Sequence, residues 1–441
     1  MTEPQLTAQD PRPWLRFYAA GVPHRPHLPD VTIPALLDAA ARGHGRRTGF
    51  RGLRRAVCSF ADTLPALGIR HGDRVALVLP NCPGFAVAWH AVLRIGAIAV
   101  AIDPGASRQA WRHQLSDSGA VLALVTDTAG VGVRAVRGDT GVREVVTVPL
   151  DGALPENPRT RPTRPGWGVR GPEPGDPAVL AYVAADGPAA VLTHTNLVAA
   201  AQQLAVWHPQ LRDGRETALA VTPLWRPHGL LFGLTAPLLT GTRTVLLTAP
   251  EPQTLLRTAR RRKATLLSAT PADCRRLLQR PAHELEALAT VRTWLSETLD
   301  AETADRIRAS VDAELVEGYG IPEAAGAVLA NPRGANARPG TSGLPLPGTE
   351  VRIAQEDSPG VQLPPGHAGE LLVRGPQVCP GYWGDPAETA RRLLPGGWLR
   401  TGEVAVLSPD GYVTVIGGAG VGRASGRPHQ HVTDAPDDES A

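Results

Sequence analysis

The chain has 441 residues, a formal charge of +3 and 42% hydrophobic residues. It is long enough for two or three domain-sized units and has an ordinary globular composition. It lacks the strong basic balance that nucleic acid or an acidic membrane surface selects. Cys58, Cys82, Cys274 and Cys379 lie far apart with no CxxC spacing, and they read as separate reduced thiols. The N-terminus carries no basic region followed by an apolar stretch, so no signal peptide is expected and the expected compartment is the cytoplasm. The most apolar stretch, 86–102, contains His90 and Arg94; it reads as a buried helix leading into a strand, not a transmembrane segment.

In chain order, Val75 to Leu79 predicts a short buried strand, Pro80-Asn81 a turn, and 85–95 a helix. A second apolar strand over 97–102 stops at Asp103-Pro104-Gly105. Strands alternating with helices predict βαβ units and a parallel sheet. Residues 150–178, rich in Pro, Gly and Arg, predict a surface loop or linker. The α/β rhythm resumes over 177–330, with apolar runs at 217–222, 244–248 and 264–269. Beyond Pro339, short β-like segments at 350–353, 370–373 and 412–416 sit between Gly/Pro turns and predict a small sheet or barrel. From Gly417 the chain is Gly-rich and then acidic, the composition of a disordered tail. The expected units are therefore 1–178, 179–339 and 340–416, followed by a tail at 417–441.

Several segments carry a family likeness in register. Trp14 to Tyr18 with Gly21-Val22-Pro23 opens the chain; Gly72-Asp73-Arg74-Val75 leads to Leu79-Pro80-Asn81; and His113-Gln114-Leu115 precedes Asp117-Ser118-Gly119. Glu317 to Gly320, Gly369-Glu370-Leu371, Gly381-Tyr382-Trp383 and Trp398 to Gly402 follow. Together they resemble the long-chain fatty-acid–CoA ligases of the adenylate-forming superfamily. The resemblance implies an α/β large domain made of two α/β subdomains and a small β-rich subdomain, without the family's mobile C-terminal domain.

It also implies a reaction: a carboxylate attacks the α-phosphate of ATP, and CoA then takes the acyl group. Such chemistry rests on positioning and charge neutralisation. The family's Ser/Thr/Gly-rich loop ending in lysine wraps phosphates with backbone N–H groups. The corresponding stretch here runs from Ala181 to His194. Between Tyr182 and Thr193 it is short and almost without hydroxyls; Asp186-Gly187-Pro188 puts an acid where an anion belongs and a proline, which has no N–H, about where the lysine belongs. The chain's single lysine, Lys263, lies in Arg260 to Thr265 and reads as a solvated helix-to-strand turn.

The other motif positions are mixed. In Pro223 to Leu230, Arg226 takes the place of the family's histidine near the acyl tunnel, with His228 displaced and Gly229 beside it. For His228 a loop-packing role is favoured over an acyl-site role. Tyr319 and Gly320 are candidates for adenine contact, and Glu323 for Mg²⁺, a hard cation that prefers oxygen ligands. Pro322 replaces the motif's threonine. Glu403 replaces the aspartate that grips the ribose, and the arginine expected near Ile416 is missing. The segment between Arg47 and Arg54 is shortened. Gly418 to Gly422 lacks the helix of a dinucleotide loop, and His429 and His431 lack further ligands.

The expected function is that of an AMP-forming ligase homologue with impaired or lost adenylation. ATP or AMP and Mg²⁺ are implied by resemblance, and CoA binding is not expected without the C-terminal domain. The alternative is a non-catalytic protein that binds an acyl chain or other carboxylate, an AMP-like ligand, or a partner protein.

Overall fold

The computed structural model describes residues 12–44, 48–150, 171–248 and 251–418. Helices α1 (Ile33–Gly43) and α2 (Phe50–Ala61) precede the first sheet. Its strands are β1 (Arg74–Val78), β2 (Ile98–Ala101), β3 (Leu122–Val125), β4 (Glu144–Thr147), β5 (Pro177–Tyr182) and β6 (Ala189–Thr193), in the order β4-β3-β1-β2-β5-β6. Pairing is parallel except for the antiparallel β5–β6 hairpin. Helices α3 (Pro83–Arg94), α4 (Arg108–Asp117) and α5 (Asp127–Val136) make the crossovers, and α6 (His194–Trp207) follows β6. Strands β2 and β3 are buried throughout, which is why they read as unbroken apolar runs. Helix α3 begins at Pro83, needs no N–H there, and is capped by the Cys82 thiol accepting from the Phe85 amide.

The boundary expected at 178/179 falls inside β5. Val179 and Leu180 pair with Ala99 and Val100 of β2, so the stretch from 177 to 193 completes the first sheet instead of opening the second unit. Periodicity identifies a strand but not its partner, and this partner is remote in sequence.

The second sheet has strands β7 (Thr217–Ala220), β8 (Arg243–Leu246), β9 (Leu266–Ser268), β10 (Thr293–Glu297), β11 (Glu314–Tyr319), β12 (Leu329–Ala330) and β13 (Leu344–Pro345), ordered β13-β12-β11-β10-β9-β7-β8. It is parallel from β8 to β11 and antiparallel at β12 and β13. Asn81 joins the two sheets: buried, it donates from Nδ2 to the Thr222 carbonyl (2.9 Å) and accepts from the Leu224 amide (2.7 Å).

A third, antiparallel sheet contains β14 (Glu350–Gln355), β15 (Ser358–Gln362), β16 (Ala368–Arg374), β17 (Leu393–Leu394), β18 (Trp398–Leu407) and β19 (Val413–Gly418). Residues 417 and 418 thus end a strand; the rest of the expected tail, with His429 and His431, lies outside the described residues, as does 151–170 of the expected linker. Among the described residues no helix is long and apolar enough to cross a membrane.

Candidate functional site

Parallel α/β sheets present ligand sites at the carboxyl ends of their strands. Glu297 ends β10 and Tyr319 ends β11. The chain then turns through Gly320 and a short helical turn, Pro322–Ala324, that carries Glu323. This turn packs against the β5–β6 hairpin, and the segment 381–383 lies along β6, with the Val191 amide donating to the Gly381 carbonyl (3.0 Å). The structure therefore brings the hairpin loop, the Tyr319–Glu323 turn and the Gly381-Tyr382-Trp383 motif to one place.

Close backbone approach fixes the turn. A Cβ on Gly320 would stand 2.1 Å from the Gly326 carbonyl oxygen. Gly326 itself has φ +93°, and a Cβ there would meet the His228 amide at 2.5 Å. Gly229 presses on the Pro223 carbonyl, leaving 1.9 Å for a Cβ. No side chain larger than hydrogen fits these positions without moving backbone.

Three carboxylates act electrostatically on the Tyr319 phenol. Burial pushes its pKa well up, and the negative charges of Glu403 and Glu323, then Glu297, push it further. Glu323 is 2% exposed and accepts a 2.9 Å hydrogen bond on Oε1 from the Tyr382 hydroxyl. Burial raises the Tyr382 phenol and Glu323 adds to the rise. Burial also holds the Cys379 thiol up at about 12, helped by the same carboxylate. Mg²⁺ keeps several waters in its shell; a carboxylate sealed beneath a tyrosine does not suit that shell. Among the described residues no three His, Cys, Asp or Glu side chains are arranged to hold a metal ion.

His228 points inward. Its Nδ1 lies 3.0 Å from the Gly326 carbonyl and its ring packs on Phe232 with centroids 4.5 Å apart. Burial lowers its pKa, partly offset by Glu297. Arg226, by contrast, is exposed. Behind Tyr319, a cavity of about 20 Å³ is bounded by His208, His228, Phe232, Ala327 and Leu346. That holds about one water, far below the ~300 Å³ at which small-molecule pockets begin.

The hairpin loop, 183–188, is closed on itself. The Val183 amide donates to the Pro188 carbonyl (3.3 Å) and the Gly187 amide to the Ala184 carbonyl (3.2 Å). Helix α4 pins the loop from outside: Gln114 Nε2 donates to the Ala185 carbonyl (3.1 Å), and His113 Nε2 lies 3.2 Å from the Gly187 carbonyl. The Tyr182 hydroxyl lies 2.8 Å from Asp117 Oδ2 and donates there. Asp186 is exposed at the tip. Thr193 caps α6, its hydroxyl accepting from the Asn196 amide, and the Asn196 side chain accepts from the Thr193 amide. This loop does not fit a triphosphate: two of its amides are spent, position 188 has none, and the tip is acidic.

The pins His113, Gln114 and Asp117, the acid Glu297 and the Tyr382 lid on Glu323 were not assigned roles from sequence. All except Glu297 lie in motif segments, so their positions were visible while their contacts were not.

Residues 23–383 match the family described as AMP-binding enzyme. The chain is 28% identical to a long-chain-fatty-acid–CoA ligase of Bacillus subtilis, over 92% of this chain and 80% of that one. It is 30% identical to 4-coumarate–CoA ligase 2 of Oryza sativa subsp. japonica, over 88% and 72% of the two chains. Among solved structures it is similar to a long-chain-fatty-acid–CoA ligase (FadD1) from Archaeoglobus fulgidus, with TM-score 0.79 and 20% identity, covering 92% of this chain and 87% of that one. It is also similar to VinN, with TM-score 0.75 and 25% identity, covering 89% and 100%. The likeness to FadD1 concerns fold alone.

Proposed function

The chain belongs to the AMP-binding enzyme family, and from that premise we propose that it is a fatty-acid–CoA ligase homologue that binds a purine nucleotide but does not adenylate a carboxylate. The observation that carries this reading is the loop at 183–188, whose Val183 and Gly187 amides bond within the turn and whose residue 188 is proline. The loop in this family must deliver amides and a lysine ammonium to the triphosphate; here two of its amides are spent within the turn and it carries no lysine. The one lysine, Lys263, caps the helix Pro252–Arg262 with φ 50°.

Tyr319, Gly320 and Glu403 are the proposed adenine and ribose contacts. Tyr319 offers an aromatic face at the strand end, and Glu403 a carboxylate near its hydroxyl. Glu323 is assigned to packing under Tyr382, not to Mg²⁺. The cavity behind Tyr319, about 20 Å³, leaves no room there for an acyl chain, and the AMP-like reading rests on the Tyr319 face and the Glu403 carboxylate. His228, Gly229 and Phe232 then hold the turn at 319–326 and do not line an acyl tunnel.

The test is a thermal-shift series with AMP, ATP·Mg and palmitate, paired with ATP–pyrophosphate exchange. The reading expects a rise in melting temperature with AMP, no rise with palmitate, and exchange no higher than the blank. Saturable stabilisation by palmitate, or exchange above the blank, would overturn it.

A further inference from the structure

Far from these elements in sequence, α1 and α2 border a groove of about 570 Å³, within the range of small-molecule pockets. Ala41 and Arg42 come from α1; Arg51, Arg54, Arg55 and Cys58 come from α2. The α2 positions follow i, i+3, i+4, i+7, so a single helical stripe forms that wall.

The charges on this wall are unbalanced. Arg54 pairs with Asp38 (2.7 Å), which also binds Arg94 (3.2 Å). Arg51, which lines the groove, donates from Nε to the Ala41 carbonyl (3.2 Å). Among the described residues Arg42, Arg51 and Arg55 have no carboxylate within ion-pair distance, and no acid lines the groove. Neighbouring guanidinium groups repel one another, and a bound polyanion relieves that repulsion. Guanidinium forks match phosphate oxygens two at a time. Beneath the charges, the arginine stems, Ala41 and Cys58 offer an apolar wall for an organic body.

We propose that this groove is a second ligand site, binding a phosphorylated organic anion of nucleotide size. Its phosphates bind Arg42, Arg51 and Arg55, and its body lies along the arginine stems and Cys58. Cys58 supplies the readout, because the other three cysteines are buried and it is not.

The full chain is alkylated with and without ADP, and separately with inorganic pyrophosphate; modification of Cys58 is followed by peptide mass spectrometry. ADP is expected to slow Cys58 alkylation several-fold, and pyrophosphate to slow it less. Protection should disappear in Arg51→Glu/Arg55→Glu, and in Arg42→Glu alone should that pair fail to fold. It should persist in Tyr319→Ala, which separates this site from the nucleotide contacts proposed above. No protection by ADP, or protection lost in Tyr319→Ala and kept in the arginine variants, overturns the proposal. Equal protection by pyrophosphate and ADP refutes the organic body.

Discussion

The Tyr382 hydroxyl donates a 2.9 Å hydrogen bond to Oε1 of Glu323, a carboxylate only 2% exposed. This bond anchors the turn at 322–324 to the segment at 381–383. Removing the donor takes one hydrogen bond from a buried carboxylate, which costs about 1–3 kcal/mol. Tyr382→Phe is therefore expected to lower unfolding free energy by that amount in urea titrations. Glu323→Gln keeps an acceptor in place and should cost less. Were Glu323 a Mg²⁺ ligand, Glu323→Gln would abolish Mg²⁺-dependent nucleotide stabilisation; we expect AMP to stabilise both proteins alike.

Tyr319 separates stacking from hydroxyl chemistry. Tyr319→Phe retains the ring face and should keep the AMP-induced thermal shift, whereas Tyr319→Ala should lose it. Stacking of a base on an aromatic ring is worth about 1–3 kcal/mol, roughly a 5- to 150-fold weakening on truncation. A shift that survives Tyr319→Ala would place the nucleotide elsewhere.

The loop defect is distributed, not confined to one residue. Pro188→Lys restores an N–H and a cation, and combining it with Asp186→Gly removes the acid. The two amides spent within the turn and the pins from His113 and Gln114 remain. Pyrophosphate exchange by the double variant is expected to stay at the blank. Exchange in that variant would show that the scaffold is intact and that these two side chains alone block it.

Acid should weaken the fold through its sealed histidines. Burial holds His90 at about 3, His194 at about 4 and His208 at about 3. The unfolded chain, with values near ~6.5, binds more protons below that pH, so stability is whole above pH ~6.5 and falls as pH drops toward the folded values. Each histidine contributes a loss of about 2 kcal/mol between pH 6.5 and pH 5. Urea midpoints at those two pH values test this. His208→Gln should flatten the slope, and an unchanged midpoint in the parent would contradict it.

Asn81 spans the joint between the two large sheets, with Nδ2 on carbonyls of Ala220, Val221 and Thr222 and Oδ1 on the Leu224 amide. Asn81→Ala strands several buried backbone groups, so a loss of about 2–4 kcal/mol is expected in urea unfolding. A loss below 0.5 kcal/mol would mean that the joint repacks freely.

The sequence made local elements legible, because β1, α3 and β14 follow from short-range apolar spacing and turn residues. It also revealed the motif residues Tyr319, Glu323 and Glu403, and the proline at 188. It did not show that 177–182 extends the first sheet, because strand pairing with 98–101 is a long-range choice. Nor did it show that Tyr382 covers Glu323, or that Gln114 and His113 hold the loop's carbonyls. Those contacts join residues 59, 71 and 74 positions apart. The closing of the space behind Tyr319 depends on how His228 and Phe232 pack together, which spacing along the chain does not encode.

We propose that this scaffold does not grip a triphosphate for adenylation. ATP–pyrophosphate exchange, run on folded protein with Mg²⁺ across short-, medium- and long-chain carboxylates, tests it most directly. We predict exchange equal to the blank for every carboxylate, in a preparation that AMP still stabilises against heat. Exchange stimulated by any carboxylate, and lost on Tyr319→Ala, would contradict it.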